Sequence, residues 1–111
     1  MRLTPLEEER ILIFAAAELA RRHRAAGILL NAPETVALVC DAMHEAARAG
    51  GTYEDAVRAG RDAVRPNEVI EGVRELVADV RLEVLLGDGT RVVVLVDPLG
   101  DGPDAPTGIG R

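Results

Sequence analysis

Val80-Arg81-Leu82-Glu83-Val84-Leu85-Leu86-Gly87-Asp88-Gly89-Thr90-Arg91-Val92-Val93-Val94-Leu95-Val96 is the stretch that decides the fold. Apolar residues recur at every second position, at Val80, Leu82, Val84 and Leu86, alternating with Arg81, Glu83 and Leu85. That is the period of a strand with one face buried. Gly87-Asp88-Gly89 supplies a tight turn, and Thr90 to Val96 is almost wholly β-branched, so the stretch predicts an antiparallel β-hairpin. Its first strand reads as half-exposed, whereas the second is apolar on both faces. A two-stranded hairpin normally shows one face to water. An apolar edge strand invites pairing with another chain. Val92 and Val94 fall on one face, Val93 and Leu95 on the other. Helices cover one of these faces, so the other set is expected to meet a partner, and the residues alone do not say which.

Upstream of the hairpin the period is helical. Thr4-Pro5-Leu6-Glu7 predicts a helix start, with Thr4 as N-cap, Pro5 at the first position and Glu7 closing a capping box. Leu12, Ala15, Ala16, Leu19 and Ala20 follow at helical spacing, and Ile11, Ile13 and Phe14 widen the stripe. Arg21-Arg22-His23-Arg24 suits the last turn, and Gly27 is the stop. Asn31-Ala32-Pro33-Glu34 repeats the start signal for a second helix that carries Val36, Val39, Cys40, Met43 and Ala47 and ends at Gly50-Gly51. Thr52-Tyr53-Glu54-Asp55 opens a third, stopping near Gly60, and Pro66-Asn67-Glu68 a short fourth, ending near Gly72. The expected fold is therefore α+β, with three main helices and a short fourth followed by a C-terminal antiparallel hairpin. Residues 1–99 form one domain in this reading. Residues 100–111, rich in Gly and Pro, form a flexible tail.

Composition narrows the function. The chain has 111 residues, one Phe, one Tyr and no Trp, so its core is aliphatic and offers no stacking platform for bases. A formal net charge of −6 argues against nucleic acid and against anionic membranes. All thirteen basic residues are Arg. Arg suits bidentate ion pairs at an interface, but codon usage rich in Arg, Ala, Val and Gly is the favoured explanation of the bias. Cys40 is the only cysteine, which excludes an internal disulfide and fits a reducing cytoplasm. The N-terminus has no signal-peptide core.

Reactive groups are sparse. His23 sits in an Arg-rich turn, where charge and solvent disfavour a metal. His44 adjoins Glu45 and has Asp41 at i−3 as its one convincing companion, and two ligands do not make a zinc or nickel site. Cys40 and His44 stand at i and i+4, a loose echo of a nucleophile–base pair, yet Cys40 belongs to the apolar stripe and reads as structural. Glu7-Glu8-Glu9 is explained by the helix start, and Gly87-Asp88-Gly89 is too short for a phosphate loop. Catalytic, cofactor-binding and metal-binding residues are thus expected to be absent.

Several blocks, in order, resemble the gamma subunit of urease. They are Met1-Arg2-Leu3-Thr4-Pro5 with Glu9-Arg10, and Ala17-Glu18-Leu19-Ala20-Arg21-Arg22. Gly27-Ile28-Leu29-Leu30-Asn31-Ala32-Pro33-Glu34-Thr35-Val36-Ala37-Leu38 is the most specific. Glu45-Ala46-Ala47-Arg48, Gly60-Arg61, Val69-Ile70-Glu71-Gly72-Val73, Asp88-Gly89-Thr90-Arg91-Val92-Val93 and Asp97-Pro98-Leu99 complete the series. The resemblance covers about residues 1–99. It implies three helices and a hairpin, and a structural, non-catalytic role in a cytoplasmic complex that hydrolyses urea to ammonia and carbamate. It further implies beta and alpha subunits as partners, gamma–gamma contacts in a trimeric assembly, and nickel held by the alpha chain, with no cofactor on this one. Two positions depart from the family pattern, Arg74 where Pro is usual and Val96 where His is usual. The Val84-Leu85-Leu86-Gly87 approach is also more aliphatic than usual. The rival readings are a stand-alone oligomerising interaction module without urease activity and a small enzyme using Cys40 and His44.

Overall fold

The computed structural model describes residues 1–100. The tail expected beyond the domain therefore falls, from residue 101 on, outside the described residues. The chain runs through α1 (Pro5–Ala25), α2 (Ala32–Arg48), α3 (Tyr53–Arg61), a 3-10 turn (Pro66–Glu68), α4 (Val73–Leu76), β1 (Asp79–Leu86) and β2 (Gly89–Val96). This is the α+β architecture expected.

Three helix starts share one device. The Thr4 hydroxyl accepts from the Glu7 N–H at 3.1 Å while the Glu7 carboxylate accepts from the Thr4 N–H at 2.7 Å. Asn31 and Glu34 make the same reciprocal pair at 2.9 and 3.0 Å, and Thr52 and Asp55 at 3.1 and 2.9 Å. Each box satisfies two N–H groups the helix itself leaves open, and such a cap contributes about 1 kcal/mol.

The short fourth element differs from expectation. The turn opened by Pro66 ends at Glu68. Val69 then runs extended beside Leu30, with the Leu30 N–H on the Glu68 carbonyl at 2.8 Å and the Ile70 N–H on the Leu30 carbonyl at 2.9 Å. Gly72, at φ 94°, precedes α4 rather than ending a helix. The bridge to Leu30, distant in sequence, holds residues 69–70 out of helical conformation.

α2 is the centre of the core and packs against α1, α3 and β1. Leu38, Val39, Cys40, Met43 and Ala47 are buried on it. The hairpin closes the far side. Its register pairs Val80 with Leu95, Leu82 with Val93, Val84 with Arg91 and Leu86 with Gly89, across a two-residue Gly87-Asp88 loop. These pairs face α2 and α3, and Val93 and Leu95 are fully buried. Gly60 makes the packing possible: a Cβ there would lie 2.6 Å from Leu95 Cδ1 and 2.9 Å from Met43 Cγ. The outer face carries Val92, Val94 and Val96, paired with Glu83, Arg81 and Asp79. Which face of β2 turns inward is thereby settled, and the outer apolar stripe lies beside charged neighbours on β1.

Candidate interaction surface

Several of the residues weighed for chemistry are engaged in structure. Asp41 is 2% exposed and takes two guanidinium groups from α1. Arg10 Nη1 donates to its Oδ1 at 2.8 Å, and Arg21 Nη2 donates to its Oδ2. Arg10 also reaches Glu45 at 2.5 Å. Asp41 is therefore an ion-pair hub joining α1 to α2, and both of its carboxylate oxygens are taken by arginines. His44 lies half-buried, and desolvation, reinforced by the Arg10 charge, pushes its pKa below the ordinary 6.5.

His23 is likewise not left to solvent among arginines. Its Nδ1 meets the Glu34 carboxylate, so the end of α1 is pinned to the start of α2. Arg and His side chains are long enough to reach across an interhelical seam, so spacing along one helix gave no sign of either contact. The Asn31 N–H, followed by His23, holds the Glu34 carboxyl below its ordinary pKa of 4.5. A carboxylate with a lowered folded pKa adds stability that is fully present above the unfolded pKa and is lost as the pH falls through the folded one. From pH 7 to about 5 the Glu34 contribution should therefore be flat, and below about 4.5 it should decline. Glu34→Gln should lower the melting temperature at pH 7 and shrink the gap to wild type by pH 3, as followed by thermal melts across that range.

Cys40 is 5% exposed. Burial, with the negative charges of Glu9 and Asp41, pushes its thiol up to about 11, so it is protonated at neutral pH. Among the described residues no hydrogen bond joins it to His44. It lines an open apolar groove of about 550 Å³ with Leu12, Ala16, Val36 and Leu76. Cys40→Ser should destabilise by on the order of 1–3 kcal/mol if its hydroxyl finds no partner, and Cys40→Ala by less. Chemical denaturation of both variants checks this.

What the surface offers instead is apolar area. Of the 21 residues of α1 only Ala17 and Ala20 are buried. The stripe read from the sequence turns mostly outward: Ile11 is 52% exposed, Leu12 69% and Leu19 52%. α1 approaches α2 through two alanines, the Asp41 ion pairs and the His23–Glu34 contact, with Ile13 packed on the core, which leaves Ile11, Leu12 and Leu19 exposed. On the hairpin, Val92 is 53% and Val96 50% exposed.

Comparison with known proteins gives this surface its context. The family described as urease, gamma subunit, matches residues 1–99. The chain belongs to the urease gamma subunit family. A protein of Streptomyces avermitilis named urease subunit gamma/beta is 47% identical over 102 residues, covering 92% of this chain and 45% of its own length. One of Streptomyces coelicolor with the same name is 46% identical over 109 residues, covering 96% of this chain and 48% of its own. The chain thus spans about half the length of the curated relatives it matches.

Of the positions read above as departures from the gamma pattern, Arg74 has a structural role. Arg74 forms a two-pronged pair with Asp97, Nε to Oδ1 at 3.0 Å and Nη2 to Oδ2 at 2.8 Å, and this holds the Asp97 carboxyl low. Arg61 donates to the Val96 carbonyl at 3.0 Å and the Asp97 carbonyl at 3.2 Å. Asp97 itself adopts φ 49°, in the left-handed region where a non-glycine residue needs such support. Val96 stands exposed on the outer face of β2.

Proposed function

We propose that this chain is the non-catalytic gamma subunit of a cytoplasmic urease complex, whose urea hydrolysis takes place on a separate nickel-bearing alpha subunit. The observation that carries the assembly reading is the apolar surface a lone chain leaves open on α1 and on the outer face of β2. Its partners in this reading are the beta and alpha subunits, with gamma–gamma contacts in a trimeric assembly, and residues 1–99 form the domain that makes them. The names of the relatives, which join gamma with beta, support a beta partner.

The donor set here does not fit a nickel centre. Asp41 is occupied by two arginines, Cys40 keeps its proton, and His44 is desolvated beside Arg10. Among the described residues no three of His, Cys, Asp and Glu come together. No reaction step is assigned to this chain. Its contribution is shape: a helical layer with apolar faces that buries surface against its partners. The rival reading of a free-standing module is not favoured by a family match over residues 1–99. No helix of the described residues is long and apolar enough to cross a membrane.

The test is to purify the chain alone and assay it. It should hydrolyse no urea and retain no nickel after dialysis in chelator-free buffer. Stoichiometric retained nickel would overturn the non-catalytic assignment.

A further inference from the structure

The outward stripe of α1 is symmetric about one residue. Glu8, Ile11, Ala15, Leu19 and Arg22 follow one another at intervals of three, four, four and three. Those intervals place all five on one side of a helix, and all five are exposed. Reversing the helix about Ala15 exchanges Glu8 with Arg22 and Ile11 with Leu19. The buried face, Ala17 and Ala20, lies on the other side, against α2.

We propose that this stripe docks on the same stripe of a second copy of the chain, antiparallel, across a two-fold axis at Ala15. In that arrangement each Glu8 faces the partner's Arg22 and each Ile11 the partner's Leu19. Ala15 meets its counterpart on the axis, where a methyl group lets the helices approach to the short end of the usual 8–10 Å. The acidic first turn of each α1 lies beside the basic last turn of the other, so the helix dipoles also oppose. Neither Glu8 nor Arg22 is used in an ion pair within the described residues. The match is one of self-complementarity, which an isologous contact requires and a contact with an unrelated surface does not. A two-fold contact pairs copies and does not build a ring, so it adds to the trimeric contacts proposed above.

The stripe between Glu8 and Arg22 is about 21 Å long. One helix face on each side is well short of the roughly 1,600 Å² of a standard interface, so the pair forms at high protein concentration. The full chain is followed by sedimentation equilibrium over a wide concentration range, with circular dichroism as a check on folding. Wild type should show a reversible dimer. Glu8→Arg alone and Arg22→Glu alone each put like charges together twice per dimer, and each should weaken it about tenfold. The double exchange, Glu8→Arg with Arg22→Glu, should restore wild-type association, and Ala15→Glu should abolish it while leaving the fold intact. Glu54→Arg on α3 should change nothing. A wild type that stays monomeric at every concentration would overturn the proposal. So would a double exchange no better than the singles, or single exchanges that impair only capture by other urease chains.

Discussion

Val93→Glu together with Leu95→Glu should yield a chain that does not fold. Both side chains are fully buried between the hairpin and the helices, with Leu95 against Gly60. Each loses a burial contribution of about 1.5–3 kcal/mol, and each leaves a carboxylate in an apolar site, which costs more unless it stays protonated. Their sum reaches the whole stability of a small domain, about 5–15 kcal/mol. The control is Val92→Glu with Val94→Glu on the same strand. Those side chains face outward beside Glu83 and Arg81, so this pair should fold, with a melting temperature near wild type, and fail to assemble. The contrast between neighbouring positions is the informative result. Equal behaviour of the two pairs would mean that the hairpin has no distinct inner and outer role.

The second large effect is expected at Asp41. Asp41→Ala removes the buried acceptor on which Arg10 and Arg21 converge. Breaking a buried pair by removing one partner costs about 3–5 kcal/mol. Here the arginine side chains remain 28% and 35% exposed and can turn to water, which brings the expectation to about 2–3 kcal/mol. The urea midpoint of the variant measures it. A double-mutant cycle of Arg10→Ala with Asp41→Ala should give a coupling of about 0.5–3 kcal/mol. A coupling of zero would show that Asp41 contributes through packing alone.

The features legible in the sequence are those set within a few residues. The three capping boxes, the Gly-marked ends of α1 and α2, the apolar stripe of α2 and the two-residue period of the hairpin all follow from local chemistry, and each stands where it was expected. The burial of Cys40 follows from its place on that stripe. Other features depend on residues far apart in the chain. Asp41 on α2 gives no local sign that Arg10 and Arg21 reach it from α1, and the same holds for His23 and Glu34. The extended step at Val69 is set by Leu30, and so local sequence shows one short element where the chain makes a 3-10 turn and then α4. α1 misleads for a further reason. Its apolar period marks a face to be buried, but periodicity does not say against which chain, and Leu12 and Leu19 remain outside this one. The inner face of β2 was undecidable for the same reason, since both of its faces are apolar.

In the proposed function the chain works by being built into a urease assembly. The most direct measurement is co-expression of an affinity-tagged copy with beta and alpha chains from the same source, followed by sizing of whatever the tag retains. The account predicts a single large species that contains all three chains, carries nickel and hydrolyses urea, and that no longer forms with Val92→Glu/Val94→Glu. A tagged chain recovered alone, while the beta and alpha chains assemble and hydrolyse urea without it, would contradict the account.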